Sequence, residues 1–165
     1  GFQNEGTGRL LANHQIKTLY ASHVGLNKEC GQQYSAGELD LKLQPQGTLA
    51  EQVRAAGAGL GGVLTPTGLG TTVADGKDIV TVDGKDYVLE KPLKGDVAIV
   101  QGYIADESGN IRYKGSTRNF NPLMASAADT VIVEVEKIVP AGEIGPDYVE
   151  TPHIYVDYLV VKEEA

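Results

Sequence analysis

A chain of 165 residues is long enough for one domain with a buried core of its own. Its 14 basic and 22 acidic side chains give a formal net charge of −8, which argues against a nucleic-acid partner, because binding to phosphates needs a concentrated positive face. Cys30 is the single cysteine and no apolar run is long enough to cross a bilayer, so the sequence predicts a soluble protein in a reducing, cytoplasmic setting, without disulfides, structural zinc or a membrane anchor.

Two short strands are predicted near the start of the chain. Residues 17–24 (KTLYASHV) form an apolar run that predicts a buried strand. Leu39, Leu41 and Leu43 alternate with polar residues, which predicts a second strand that ends at Pro45.

A helix is predicted directly after the second strand. Gln46 and Gly47 are expected to form a tight turn, and Thr48 and Glu51 match the S/T-x-x-E capping box that opens a helix over TLAEQVRAA. Gly57 then occupies the position of a C-cap glycine. Gln46 is therefore expected at the carboxyl end of a strand and at the start of a helix, where ligands bind in open α/β sheets.

After Gly70 the pattern changes to strands joined by tight turns. Asp83-Gly84 is a strong hairpin signal, and DESGN at residues 106–110 separates two further apolar runs. Alternating valines over residues 131–135 and the run HIYVDYLVV predict the last strands, with a helix only over residues 122–128. We expect one α/β domain over residues 1–165, with an open, mainly parallel sheet and helices followed by a mostly antiparallel β segment.

The stretch AAGAGLGGVLTPTGLGTT, residues 55–72, contains Gly57, Gly59 and Gly62 in the spacing G-x-G-x-x-G. A dinucleotide-binding fingerprint must follow a strand and open a helix, because its phosphates bind at the helix N-terminus. Here a helix precedes the glycines and Pro66 follows them, so a dinucleotide site is not expected. Two interpretations remain: the glycines permit close packing and positive φ angles, or their bare backbone lets another chain or a thin ligand approach.

Three segments resemble the A (alpha) subunit of class I coenzyme A transferases: residues 37–71 (GELDLKLQPQGTLAEQVRAAGAGLGGVLTPTGLGT), residues 116–122 (STRNFNP) and the ending HIYVDYLVV. This family includes the acetate, butyrate, acetoacetate and succinate:3-oxoacid enzymes, and the similarity runs over essentially the whole chain. The resemblance implies an open α/β sheet akin to that of the sugar-phosphate isomerases. Family A subunits begin with a strand and a loop resembling D-G-x-x-x-x-x-G-G-F, which has no match here, so the sequence is expected to lack that N-terminal segment.

The resemblance also implies a chemistry shared between two chains. The family uses a glutamate of the B subunit as nucleophile on an acyl-CoA, and then passes CoA through a glutamyl-CoA thioester to a second acid. This chain has no matching glutamate motif. We interpret Glu38, Glu51 and Glu90 as a strand-edge residue, a helix cap and a solvated hairpin charge. The expected partner is a B subunit in a hetero-oligomer, and the CoA thioester is a substrate, with no bound cofactor or metal.

Gln46 is the predicted catalytic residue, since the resemblance places its amide where it donates to the oxyanion formed on the thioester carbonyl. The alternative is a side chain that closes the turn locally. The resemblance also implies that the wall of the cleft for the acyl and pantetheine groups comprises Gly57, Gly59, Gly61, Gly62, Thr65 and Thr67. Asn119, with its neighbours Arg118 and Asn121, could orient a ligand, although a polar turn that satisfies its own backbone is the competing interpretation.

Two other functions compete with CoA transfer. One is a ligand-binding or regulatory module that keeps the fold without catalysis. The other is a sugar-phosphate isomerase or deaminase, which should carry its own acid and base residues in the chain. His14, His23 and His153 are isolated in the sequence, and no clustered set of such residues is evident, which counts against the second alternative.

Overall fold

The computed structural model describes residues 2–163 and shows an α/β chain that forms two compact units. The first unit comprises the residues up to Leu49 and Pro66–Val88; the second comprises Ala50–Thr65 and the residues from Leu89 onward. The described residues contain four α-helices, α1 (Thr7–Ala12), α2 (Lys28–Ser35), α3 (Gln46–Gly57) and α4 (Asn121–Ser126), besides four single-turn 3-10 helices. The strands in the same residues are β1 (Thr18–Ala21), β2 (Asp40–Leu43), β3 (Val63–Thr65), β4 (Ile79–Val82), β5 (Lys85–Glu90), β6 (Gly95–Gln101), β7 (Ile104–Asp106), β8 (Ile111–Arg112), β9 (Ala128–Val135), β10 (Lys137–Val139) and β11 (Tyr158–Val161). The prediction of a single domain covers residues 1–165, of which Gly1, Glu164 and Ala165 lie outside the described residues, and it stays a prediction.

Strands β1 and β2 of the first unit pair in parallel, with Thr18 opposite Asp40 and Ala21 opposite Leu43. Both predicted strands are present, but the prediction that the first is buried was wrong, since residues along β1 alternate between exposed and half-buried. These two strands form a sheet of their own among the described residues, so that few neighbours cover them. The core of this unit lies between the helices and β2, where Leu11, Cys30 and Leu39 are buried together.

The β4–β5 hairpin of the first unit confirms the turn predicted at Asp83-Gly84. The strands pair antiparallel from Ile79 opposite Val88 to Val82 opposite Lys85. Asp83 and Gly84 have φ angles of +50° and +73°, the two positive values that a type I′ turn requires.

The main sheet of the second unit has the order β11-β9-β6, and all three strands are parallel. Its buried face carries the predicted valines of β9 together with Ala98 and Val100 of β6. On the opposite face, Val97 and Ile99 of β6 are 53% and 78% exposed. The antiparallel segment expected in the later part of the chain is present in β4–β5, in β7–β8 and in a bridge between Ile111 and Thr151. The parallel pairing of β6, β9 and β11 was not predicted, because parallel and antiparallel strands carry the same alternation and differ only in which distant partner they meet.

Helix α3 begins two residues earlier than predicted. The Leu49 N–H donates to the Pro45 carbonyl at 2.9 Å, so that Gln46 is already in the first turn. Thr48 lies inside the helix and is buried, which contradicts both the capping box and the tight turn at Gln46 and Gly47. Pro45 directly precedes the helix, and its carbonyl accepts the first helical hydrogen bond. A residue in this position donates no hydrogen bond within the helix, so the missing N–H of proline is tolerated there.

The end of α3 is a Schellman motif around Gly59. The Leu60 N–H donates to the Ala55 carbonyl at 2.8 Å, and the Gly59 N–H donates to the Ala56 carbonyl at 3.2 Å. Gly59 has a φ of +67°, the left-handed conformation that such a cap needs. The capping glycine is therefore Gly59, and Gly57 is the last helical residue.

No helix within residues 2–163 is both long enough and apolar enough to span a membrane.

Candidate functional site

Gln46 lies in the first unit, at the junction predicted for it. Strand β2 ends at Leu43, and Gln46 is the first residue of α3. The N–H groups of a first helical turn have no partner within the helix and carry partial positive charge, so this position favours an anion. The side chain of Gln46 is exposed. An amide in this place has two N–H bonds to offer to a developing negative charge.

Ser22 contacts the Gln46 side chain directly. Its hydroxyl Oγ donates a hydrogen bond to Gln46 Oε1. Ser22 follows the last residue of β1, and the parallel ladder continues beyond the strands because the Gln44 N–H donates to the Ala21 carbonyl at 2.9 Å. Ser22 was not predicted as a site residue, because the strand expected over residues 17–24 included it, whereas β1 ends at Ala21 and leaves Ser22 at the end of the strand.

Two of the predicted glycines, Gly57 and Gly62, have a packing reason in the second unit. A Cβ on Gly57 would lie 2.2 Å from Ser126 Oγ and 2.9 Å from the Ser126 carbonyl oxygen. A Cβ on Gly62 would lie 2.8 Å from the Glu90 carbonyl oxygen. Such contacts are too short for real carbon atoms, so both positions need glycine whether or not a ligand binds there.

Gly61 differs from the other glycines of the segment. It has no positive φ, and no described atom outside its chain neighbours lies within 4 Å of the place where its Cβ would stand. Neither reason for glycine that applies to Gly57, Gly59 or Gly62 therefore applies here. Of the four glycines, Gly61 is the one whose bare backbone the described fold does not itself require.

The two predicted threonines belong to different units. Thr65 is half-buried at the end of β3 in the second unit. Thr67 is exposed in the first unit. Their role in binding stays a prediction.

The segment around Asn119 in the second unit is held by its own hydrogen bonds. Thr117 Oγ1 accepts from the Lys114 N–H at 3.0 Å, and Asn121 Nδ2 donates to the Thr117 carbonyl at 2.6 Å. Arg118 pairs with the Glu150 carboxylate. Asn121 Oδ1 also accepts from the Gln101 N–H at 3.2 Å, so that Arg118 and Asn121 both have partners outside the turn as well. Asn119 is exposed, and its role as a ligand contact stays a prediction.

The interpretation of Glu90 as a solvated hairpin charge was wrong. Glu90 is 1% exposed and accepts a hydrogen bond from Gln52 Nε2 at 3.1 Å. Gln52 lies on α3 and is itself only 7% exposed. Its backbone carbonyl accepts a hydrogen bond from the Leu93 N–H at 3.0 Å. The contact joins residues 38 positions apart, so the local hairpin pattern could not reveal it.

The other two carboxylates are exposed surface groups. Glu51 does not cap α3, because it lies inside the helix, where it pairs with Arg54 three residues later at 2.7 Å. Glu38 precedes β2 and lies 3.4 Å from His14 Nδ1. Each glutamate is exposed and pairs with a basic side chain, Arg54 or His14, and this arrangement does not single out either glutamate as a nucleophile.

A buried carboxylate of the second unit, Asp106, has a structural task. Burial opposes its ionisation, but hydrogen bonds from Asn110, Gly142 and Ser108 outweigh this effect and hold the pKa of Asp106 below its ordinary value. The side chain thereby fixes the turn between β7 and β8. The DESGN signal predicted this turn, and Asp106 is the residue that closes it.

Two cavities lie away from the predicted site residues. The first unit contains one of about 330 Å³, whose lining includes Leu11, Ile16, Leu19, Val24, His23 and Cys30. The second unit contains one of about 440 Å³ around Ile104, Val139 and Tyr148. Burial raises the pKa of the Cys30 thiol, so it is not an activated nucleophile. Within residues 2–163, no group of three or more His, Cys, Asp or Glu side chains is placed to hold a metal ion.

The sequence matches one family model, described as coenzyme A transferase, over residues 1–162. It is 47% identical over 164 residues to the acetate CoA-transferase subunit alpha of Escherichia coli, covering 99% of this chain and 74% of that protein. It is 49% identical over 164 residues to the acetoacetyl-CoA:acetate/butyrate CoA transferase alpha subunit of Clostridium acetobutylicum, covering 99% of this chain and 75% of that one.

Solved structures share the fold at lower sequence identity. Glutaconate coenzyme A-transferase from Acidaminococcus fermentans matches with a TM-score of 0.84 and 20% identity, over 92% of this chain and 57% of that chain. An acyl-CoA transferase from Escherichia coli matches with a TM-score of 0.83 and 22% identity, over 96% of this chain and 35% of that chain. This chain thus spans between about a third and three fifths of these solved chains, and the likeness confirms the predicted α/β fold class.

Proposed function

Because the chain belongs to the coenzyme A transferase family, we propose that it is the A (alpha) subunit of an enzyme that moves CoA from an acyl-CoA to a short-chain carboxylic or 3-oxo acid. Family membership makes it a transferase chain. The nature of the acid and the pairing with a B subunit are part of the proposal, and the names of the relatives support both.

In the proposed reaction, a glutamate carboxylate of the B subunit attacks the thioester carbonyl. The carbonyl oxygen becomes an oxyanion, the C–S bond breaks, and the CoA thiolate leaves behind an acyl-glutamyl anhydride. The thiolate then attacks the glutamyl carbonyl, which releases the first acid and forms the glutamyl-CoA thioester. Repetition of these steps in reverse with the second acid regenerates the carboxylate and yields the new acyl-CoA.

The contribution of this chain is the stabilisation of the oxyanion by Gln46. The observation that supports this role is the position of Gln46, exposed at the first turn of α3 directly after β2, with its amide oxygen already bound by Ser22. A donor fixed before the reaction stabilises charge without having to reorganise when the charge forms. Gly59, Gly61, Thr65, Thr67 and Asn119 remain the proposed contacts of the acyl and pantetheine groups.

Reconstitution with a B subunit tests the proposal. We expect the assembled pair to transfer CoA from acetyl-CoA to acetoacetate, butyrate or succinate, and Gln46→Ala to lower kcat by roughly 10²-fold or more, the scale of a lost oxyanion donor. Gln32→Ala, on the exposed face of α2, is the control and should leave kcat unchanged. Assembly without turnover of any acid would favour the non-catalytic ligand-binding module, and an unchanged rate in Gln46→Ala would refute the role of Gln46.

A further inference from the structure

Ser22 and Gln46 meet because of the parallel pairing of β1 and β2. Ala21 lies opposite Leu43, and the Gln44 N–H extends the ladder by one hydrogen bond to the Ala21 carbonyl. Parallel strands end at the same edge of a sheet, so the residue after β1 and the residues after β2 reach the same place. Gln46 is there because the chain turns into α3 immediately after Pro45.

The contact fixes which end of the Gln46 amide is free. A serine hydroxyl donates one hydrogen bond, and here it donates to Oε1, the acceptor end of the amide. The other end of the amide, Nε2, carries two N–H bonds and points away from the occupied oxygen. We infer that Ser22 is a positioning residue for the transferase reaction, which holds the Gln46 amide so that Nε2 faces the thioester oxyanion. The inference rests on the proposed function of Gln46 given above.

Removal of Ser22 should not lower kcat by more than removal of Gln46 itself. The last torsion of a glutamine side chain is broad and roughly two-fold, so an unheld amide also populates the orientation that presents Oε1 to the site. In that orientation an oxygen faces an oxygen that is becoming negative, and the interaction is repulsive. Removal of Ser22 leaves a donor that is correctly aimed only part of the time, so the loss is expected to be smaller than the roughly 10² to 10³-fold of a deleted oxyanion donor.

A double-mutant cycle in the chain assembled with its B subunit tests this role. Ser22→Ala should lower kcat by about three- to twentyfold and change KM for the acyl-CoA by less than about twofold, because a donor that acts in the transition state affects kcat. Ser22→Thr keeps a hydroxyl and should recover most of kcat. In the Gln46→Ala background, Ser22→Ala should have no further effect, since the amide that it positions is gone.

Two controls separate positioning from a general structural effect. Ser35→Ala replaces an exposed serine at the end of α2 in the same unit and should leave kcat unchanged. Size-exclusion chromatography and thermal unfolding of Ser22→Ala should match the parent complex, so that a lower kcat does not come from lost assembly.

The possible failures can be told apart. If Gln46→Ala lowers kcat and Ser22→Ala does not, the positioning role is refuted and the proposed function stands. Equal losses from Ser22→Ala in the parent and in the Gln46→Ala background would also refute it, because Ser22 would then act independently of the amide. If Gln46→Ala itself has no effect, both the role of Gln46 and the role of Ser22 are refuted.

Discussion

At the scale of a residue, Gly61 is the glycine at which a role in binding is most easily distinguished from a role in packing. The resemblance to the family gives Gly59 and Gly61 the same expectation, namely that a valine at either position would block the cleft and lower activity more than stability. The positive φ of Gly59 makes a valine there strained in any case, whereas Gly61 has open space and an ordinary φ.

Gly61→Val should therefore fold with a free energy of unfolding within about 1 kcal/mol of the parent and lose at least about tenfold in kcat/KM for the acyl-CoA. Urea unfolding and steady-state kinetics of the assembled enzyme measure the two effects. Gly62→Ala is the matched contrast, because its Cβ would meet the Glu90 carbonyl and should destabilise the fold directly. Unchanged kinetics in Gly61→Val would remove this glycine from the proposed cleft.

Asp106 gives a pH-dependent prediction at the same scale. Its pKa lies below the ordinary value of 3.8, so its hydrogen bonds stabilise the fold above that pH and are lost as the pH falls through the lowered pKa. Asp106→Asn should therefore be less stable than the parent by about 1–3 kcal/mol near pH 6, with a difference that shrinks below pH 4. Chemical unfolding at a series of pH values measures this. Asp129→Asn, an exposed carboxylate paired with Lys94, should show little difference at any pH.

At the scale of an element, the hydrogen bond between Gln52 and Glu90 anchors α3 to the end of β5. Both side chains are almost fully buried, so removal of the acceptor leaves the Gln52 amide without the partner for its Nε2. Glu90→Ala should lower the free energy of unfolding by about 2–4 kcal/mol, because it opens a cavity and leaves a buried donor unsatisfied. Glu90→Gln retains an acceptor oxygen and should lose less.

Urea unfolding measures the free energy of unfolding of these variants, and a change at Glu51, the residue next to Gln52, provides the control. Glu51 lies on the same helix but is exposed and pairs with Arg54, so Glu51→Ala should leave stability nearly unchanged. Equal losses from Glu51→Ala and Glu90→Ala would show that the buried contact does not anchor α3.

Local sequence patterns were sufficient to predict several elements of the fold. Asp83-Gly84 specifies its turn because few residue pairs accept two positive φ angles, and the alternating valines of β9 place one face in the core regardless of the partner strand. The placement of Gln46 between β2 and the helical run also followed from sequence, since Pro45 ends the strand, although the first residue of α3 did not.

Local sequence patterns could not predict contacts between residues that are far apart in the chain. Ser22 reaches Gln46 across 24 positions and Gln52 reaches Glu90 across 38, and no local signal encodes which residues a fold brings together. The early start of α3 was missed for a related reason, because burial of Thr48 by its surroundings overrode the capping preference of its side chain. The position of Gln46 was thus predictable from sequence, but its contact with Ser22 was not, and its catalytic role stays a prediction.

At the scale of the whole molecule, the chain passes from one compact unit to the other after Leu49, after Thr65 and after Val88. Every residue of the first unit precedes Leu89 in the chain, so this unit can begin to fold during synthesis before the second unit is complete. The segment Ala50–Thr65, with most of α3 and the glycines, waits for the residues beyond Leu89, because Gln52 finds Glu90 and Gly57 finds Ser126 only there. A nascent chain that ends at Val88 would therefore carry Ser22 and Gln46 in a complete first unit, while Gly57 and Gly62 still lack their neighbours Ser126 and Glu90.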